Sequence, residues 1–231
     1  MLEKIRKKNP LIEEKYWDNR YKTGGNSGLG SISKNRDWKW EIIKKYCSDL
    51  NNIIDVGCGD LSFWEGKDCK NYVGIDISPF IIQKNRDLRK NWQFICNSAD
   101  IRQDIKANTV FCFDVLFHIM DERVYKKILE NLTYYSEDII FIYTWKENPF
   151  RDKRLVKNCF FNYIIHGKVI KAIKILFVKK LTTDFHYQTY RNFLNYLYIF
   201  NKNNFILTVI ETDENISDVG AMYVFKKCRI E

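Results

Sequence analysis

Asp55-x-Gly57-x-Gly59-Asp60, behind the apolar pair Ile53-Ile54, is the segment of this chain whose residue types and spacing are best suited to chemistry. Asn52 to Val56 reads as a short buried strand, and Gly57-Cys58-Gly59 turns it sharply, leaving backbone that a ligand approaches with no side chain in the way. Asp76 stands about twenty residues on, at the end of a second strand over Tyr72 to Ile75. From there a carboxylate accepts the diol of a ribose laid across the first turn. The pair predicts a nucleoside-containing ligand on a doubly wound α/β sheet. A dinucleotide fingerprint would carry a third glycine where this chain has Ser62, and Asp55 at the strand end suits a cationic or amino-bearing ligand better than a pyrophosphate.

Asp55-x-Gly57-x-Gly59 followed by Gly74-x-Asp76-x-Ser78 resembles the class I S-adenosylmethionine-dependent methyltransferases. That resemblance implies S-adenosyl-L-methionine as cofactor, with Asp55, Gly57, Gly59, Asp76, Ile77 and Asp114 in its site. It also implies Asp100 as partner of the adenine amino group, with Asp104 near enough to compete. The stretch Trp17-Asp18-x-Arg20-Tyr21-x-x-Gly24-Gly25-x-Ser27-Gly28-x-Gly30-Ser31 is similar to the leader of a methyltransferase subgroup associated with glycan and surface-polysaccharide biosynthesis. By that likeness an aromatic residue such as Tyr16, or Arg20, covers the cofactor. Arg20 is the side chain suited to bidentate contact with the methionyl carboxylate. His118, after the fourth strand, and His186 are the candidate bases for an acceptor hydroxyl, since a near-neutral pKa suits that task. Tyr187 and Tyr190 are the candidates for reaching the acceptor. The implied activity is methyl transfer to a hydroxyl of a small or glycan-linked acceptor.

The elements that must position these groups can be read in order. A leader helix starts at or just after Pro10 and places Ile12, Tyr16 and Asn19 or Arg20 along one side. Gly24 to Ser31 follows, with glycine at 24, 25, 28 and 30, which is entropically expensive for a plain linker and reads as a lid or a close approach to ligand. Asp37 to Cys47 is helical by pattern, with Trp40, Ile43 and Cys47 inward, and a short helix covers 61–68. Pro79 opens another helix, with Ser78 as its cap. Strands at Trp92 to Cys96, Val110 to Val115 and Ile139 to Tyr143, with a helix over Asp121 to Tyr135, complete the alternation that predicts a mostly parallel sheet. A helix from Tyr187 and a terminal hairpin over Phe205 to Thr212 and Val219 to Lys226 close the chain. The resemblance implies a seven-stranded, Rossmann-like order 3-2-1-4-5 with an antiparallel strand inserted beside the sixth. Residues 1–231 then form one domain, with a leader and lid over 1–35 and an insertion over 145–186.

Within 153–180 the chain has eight Lys or Arg and no Asp or Glu, and Ile165, Val169, Ile173, Leu176 and Phe177 recur at helical spacing. This basic amphipathic insertion is read as a lid or a homodimer element, with peripheral contact to an anionic membrane surface as the alternative. A net charge of +9 with 45% apolar and 16% aromatic residues describes a packed protein, the charge reading either as a lysine- and asparagine-rich composition bias or as an electrostatic function toward anionic partners. Seven unclustered cysteines without a Cys/His group predict a reducing, cytoplasmic setting and no metal site. No apolar run reaches the roughly 18 to 20 residues that span a bilayer. After the fourth strand the chain reads Asp114-Val115-Leu116-Phe117, without the Pro-Pro motif that holds exocyclic base nitrogens and without a Pro-Cys nucleophile, which disfavours two kinds of base methylation. An RNA methyltransferase that follows phosphates with the basic insertion is the alternative activity, and a non-catalytic cofactor-binding scaffold is the third reading.

Overall fold

The computed structural model describes residues 12–149, 164, 182–183 and 186–228. The basic insertion falls almost wholly outside the described residues, as do the side chains of His186 and Tyr187. The chain begins with α1 (Ile12–Lys22) and α2 (Ser33–Tyr46), then enters the sheet with β1 (Asn52–Val56) and β2 (Asn71–Asp76). It continues through α3 (Pro79–Leu88), β3 (Gln93–Cys96), β4 (Ala107–Phe113), α4 (Glu122–Tyr135) and β5 (Ser136–Trp145). A two-residue ribbon, β6 (Thr182–Thr183) with β7 (His186–Tyr187), precedes α5 (Leu197–Lys202), β8 (Phe205–Glu211) and β9 (Gly220–Lys227).

The main sheet has the order β3-β2-β1-β4-β5-β9-β8. β1 pairs in parallel with both β2 and β4, β2 with β3, and β4 with β5, while β9 runs antiparallel between β5 and β8. This is the doubly wound, mostly parallel seven-stranded sheet expected, and the reason lies in the strands themselves. β1 and β4 are buried along nearly their whole length, as strands covered by helices on both faces must be. Trp40, Trp64, Tyr72, Trp92 and Phe141 fill one face of the sheet, and Leu116, Tyr125, Leu129, Phe200 and Phe225 fill the other.

Several boundaries move, each for a local reason. The turn after Leu61 closes as a single 3-10 turn over Ser62–Trp64 instead of a helix over 61–68. The expected helix from Tyr187 begins only at Phe193, as a 3-10 turn capped by the Asn192 side chain on the Leu194 amide. The residues ahead of it are extended because the Thr189 amide donates to the Phe117 carbonyl at 2.7 Å, and Arg191 donates to the carbonyls of Ile119 and Met120. α3 starts at Pro79 as its sequence requires, with Ser78 accepting from the Ile81 amide. Asp18 of the leader adds a second cap there, accepting from the Phe80 amide at 3.0 Å and from the Ser78 hydroxyl at 2.9 Å.

Candidate active site

β1 lies between β2 and β4, so the chain leaves the sheet in opposite directions on the two sides of β1 and a crevice opens at the strands' carboxyl ends. That crevice holds about 880 Å³ of space with its open mouth included, within the range of ligand clefts, roughly 300–1,000 Å³. Its wall follows the strand order. Asn97, Ser98 and Ala99 come after β3, Asp76 and Ile77 from β2, Asp55, Gly57 and Cys58 from β1, and Phe113, Asp114, Val115 and His118 from the end of β4. A nucleoside with its ribose at Asp76 thus has its base over β3 and the remainder of the molecule over β1 and β4.

The two carboxylates at the strand ends are fixed from below. Asp76 accepts from the Gly59 amide on one oxygen at 3.0 Å and from the Ser78 amide on the other at 2.9 Å. Each oxygen keeps lone-pair capacity for a hydroxyl donor. Asp55 accepts at one oxygen from Trp64 Nε1 at 2.8 Å and from the Tyr72 hydroxyl at 3.0 Å. Burial pushes each of these acids up to about 6, with their hydrogen bonds opposing the rise. Gly57 has φ 80°, and a Cβ there would stand 2.2 Å from Val115 Cγ2, so the turn admits no side chain. The described lining includes Glu13, Asp55, Asp76 and Asp114 but no lysine or arginine.

The leader closes the mouth, although by other residues than the sequence predicted. Trp17 and Tyr21, one helical turn apart, face the cleft, where the sequence reading placed Tyr16 and Arg20. Tyr16 meets Trp17 edge-on, outside the lining. Arg20 points away, with its Nε donating to the Asn26 carbonyl at 2.7 Å and its guanidinium 5.7 Å from the Trp17 ring centre. Ser27 clasps the glycine turn. Its amide and hydroxyl donate to the two oxygens of Asp60 at 3.1 and 2.7 Å, and it accepts from the Asp60 amide at 2.9 Å. Gly59 therefore lies outside the lining, beneath Ser27 and the Tyr21 hydroxyl.

At the base end, Asp100 is buried and accepts from the Ser98 hydroxyl at 2.5 Å, behind Asn97, Ser98 and Ala99, which face the cleft in its place. Asp104 is turned to the surface and accepts from the Tyr134 hydroxyl. At the other end, Asp114 lines the cleft and pairs with Lys39 at 2.5 Å. His118 stands edge-on to Trp17 at 4.9 Å, joining the leader to the loop after β4. Tyr190 lies apart, beside Lys146, Glu147, Asn148 and Asn192, with its hydroxyl on the Lys146 carbonyl. Trp17, Tyr21 and Ser27 were legible in the sequence only as members of the leader motif, and Asn97 and Lys39 were not singled out. The i, i+4 pair Trp17/Tyr21 was the signal available for two of them. Among the described residues no group of three or more His, Cys, Asp or Glu could hold a metal ion, and no helix is long and apolar enough to cross a membrane.

The buried acids make a prediction about stability. A carboxylate raised from its usual value to about 6 binds its proton more readily in the folded chain, so its penalty is full above that value and is relieved as pH falls toward 4. Asp18, Asp60, Glu122 and Glu211 are held below their usual values and act oppositely only at lower pH. Asp55→Asn keeps an oxygen for both Trp64 and Tyr72 and removes the buried charge. We expect it to stabilise the ligand-free protein at pH 7.5 by on the order of 1–2 kcal/mol, with the gain shrinking by pH 5. Denaturant titrations at the two values check this, and a pH-independent difference would contradict it.

No protein-family model matches this sequence. The tRNA U34 carboxymethyltransferase of Shewanella sp. (strain W3-18-1) is 45% identical over 51 residues, which cover 20% of this chain and 15% of that protein. Its counterpart in Shewanella halifaxensis (strain HAW-EB4) is 35% identical over 94 residues, 36% of this chain and 28% of that protein. The matches thus span between 15% and 28% of these relatives' length. Among solved structures, the magnesium protoporphyrin IX methyltransferase (ChlM) from Synechocystis PCC 6803 with bound SAH has a TM-score of 0.62 at 14% identity, covering 94% of this chain and 99% of that one. The N-methyltransferase NodS from Bradyrhizobium japonicum WM9, in complex with S-adenosyl-L-homocysteine, has a TM-score of 0.57 at 12% identity, covering 93% and 99%. The methyltransferase domain of bacterial-CtHen1-C has a TM-score of 0.52 at 16% identity, covering 85% and 98%. With these likenesses and its sheet order β3-β2-β1-β4-β5-β9-β8, the chain has the class I S-adenosylmethionine-dependent methyltransferase fold.

Proposed function

We propose that this protein transfers a methyl group from S-adenosyl-L-methionine to an acceptor at the open end of the cleft, beside His118. The observation that carries the proposal is the charge of the wall. Four carboxylates and no lysine or arginine among the described lining residues suit a ligand bearing a sulfonium and an ammonium and oppose a pyrophosphate. Bound there, the cofactor supplies an electrophilic methyl group on sulfur. Asp76 accepts from the ribose hydroxyls, Asn97, Ser98 and Ala99 border the base, and Asp55 and Asp114 offset the ligand's positive charge. Trp17, Tyr21 and Ser27 keep water from the mouth. His118 takes the proton that the acceptor loses.

For the acceptor, RNA is the reading with more support. The net charge of +9, the eight Lys or Arg within 153–180 and the likeness to proteins named for tRNA U34 all favour it. The leader's resemblance to glycan-associated methyltransferases supports a hydroxyl of a small or glycan-linked acceptor as the second reading. Homodimerisation or peripheral membrane contact through the insertion is subordinate to either. Incubation with S-adenosylmethionine carrying a tritiated methyl group, total RNA and a separate glycan fraction decides between them. We expect label in RNA, released by ribonuclease and reduced by raised salt. Label in the glycan fraction alone would replace the RNA reading by the second, and cofactor binding with no transfer to either would support the scaffold reading.

A further inference from the structure

Lys39 is the most deeply buried cation in the described structure, 1% exposed, yet it belongs to none of the roles above. It sits on α2 between Trp38 and Trp40 and sends its ammonium under the leader loop. Nζ donates to the Gly30 carbonyl at 2.9 Å and to Asp114 Oδ2 at 2.5 Å, and lies 4.1 Å from the centre of the Tyr143 ring. Two hydrogen bonds and a ring face replace the water it gave up. Around it the packing leaves no slack. A Cβ on Gly30 would stand 2.3 Å from Asp114 Oδ2. Asp114 itself has φ 60°, a left-handed conformation uncommon outside glycine, and its amide donates to the Tyr143 carbonyl at 3.2 Å. The leader loop, α2 and the ends of β4 and β5 therefore meet at one ammonium.

We propose that Lys39 is a positioning residue for ligand recognition: it fixes the Asp114 carboxylate toward the part of the ligand beyond the ribose and anchors the Gly30 loop over that part. The inference rests on the cofactor reading above and deepens it. The strand order makes it selective. Asp76 on β2 and Asn97, Ser98 and Ala99 after β3 serve the nucleoside half, and Asp114 at the end of β4 is on the opposite side of β1. Lys39 bonds Asp114 and the loop, whereas the nucleoside wall lies across β1. Its removal should weaken only ligands that extend past the ribose. The carboxylate loses its fixed orientation and the loop loses its anchor, while Asp76 and Gly57 keep their places.

Two probes separate the halves. S-Adenosylhomocysteine carries the amino-acid arm, and 5′-methylthioadenosine has the same nucleoside and sulfur without it. By calorimetry on the full chain we expect Lys39→Met to weaken S-adenosylhomocysteine at least tenfold and to leave 5′-methylthioadenosine within about twofold of wild type. Asp114→Asn should weaken the same probe, and the double variant should be no worse than the weaker single one, because the two residues act through each other. The double variant also removes the unpaired buried charge that Lys39→Met leaves, so it keeps the test valid if the single variant unfolds. Equal losses for both probes, additive losses in the double variant, or no loss at all would overturn the assignment. Wild-type protein that binds neither probe would overturn the cofactor reading and this inference together; wild-type protein that binds both normally while the variants lose nothing overturns the inference alone.

Discussion

Asp76→Ala should lower the affinity for S-adenosylhomocysteine about 30-fold or more, the equivalent of about 2 kcal/mol from charge-assisted hydrogen bonds to two hydroxyls. The structure explains why a single side chain has so large an effect. Asp76 ends β2 with each oxygen steadied by one backbone amide, from Gly59 and from Ser78, so its orientation toward the crevice is set before a ligand arrives. Pre-set acceptors lose little freedom on binding, and their removal forfeits the whole interaction. The substitution also releases the Gly59 amide, which couples the ribose contact to the shape of the glycine turn. Calorimetry at pH 7.5, where the buried carboxylate is ionised, is the measurement. Wild-type affinity in the variant would remove Asp76 from the site.

The second large effect belongs to the proton. His118→Ala should leave S-adenosylhomocysteine affinity near the wild-type value and lower the single-turnover rate about 10²-fold or more, the usual contribution of a positioned acid or base. His118 lines the cleft from the loop after β4, held between the Trp17 edge and the Phe117 ring at 4.7 Å. Arg191 secures that loop through the Ile119 and Met120 carbonyls and through Glu122 at 2.8 Å. Rates measured from pH 5.5 to 9 on the acceptor that takes label should lose their acidic limb in the variant. An unchanged rate and profile would assign catalysis to alignment of an already nucleophilic acceptor instead.

What could be read from the sequence was whatever depends on neighbours along the chain. β1, its glycine turn, the Asp76 spacing and the Ser78-Pro79 helix start are local patterns, and the strand alternation followed from them. Lys39 escaped because a lysine in a basic helix ordinarily faces water, and the groups that give it a reason to be buried, the Gly30 carbonyl, the Tyr143 ring and the Asp114 carboxylate 75 residues away, are not its helical neighbours. Arg20 was assigned inward from its chemistry, whereas the helix turns Trp17 and Tyr21 to the cleft and leaves Arg20 for Asn26. The start of the helix after Tyr187 was misplaced because contacts from Thr189 and Arg191 to the loop after β4 override local propensity there.

The leader's contacts also fix an order of assembly. Asp18 docks on residues 78 and 80, Ser27 on Asp60, and the Gly30 loop against Asp114. Each partner is synthesised after the leader, the last of them more than half a sheet later. Loop closure over such spans penalises early docking, and the last of these surfaces, at Asp114, exists only once β4 has joined β1. A nascent chain that has already displayed the glycine turn and Asp76 therefore still lacks a closed cleft, and closure by the leader waits on β4, which is made after it.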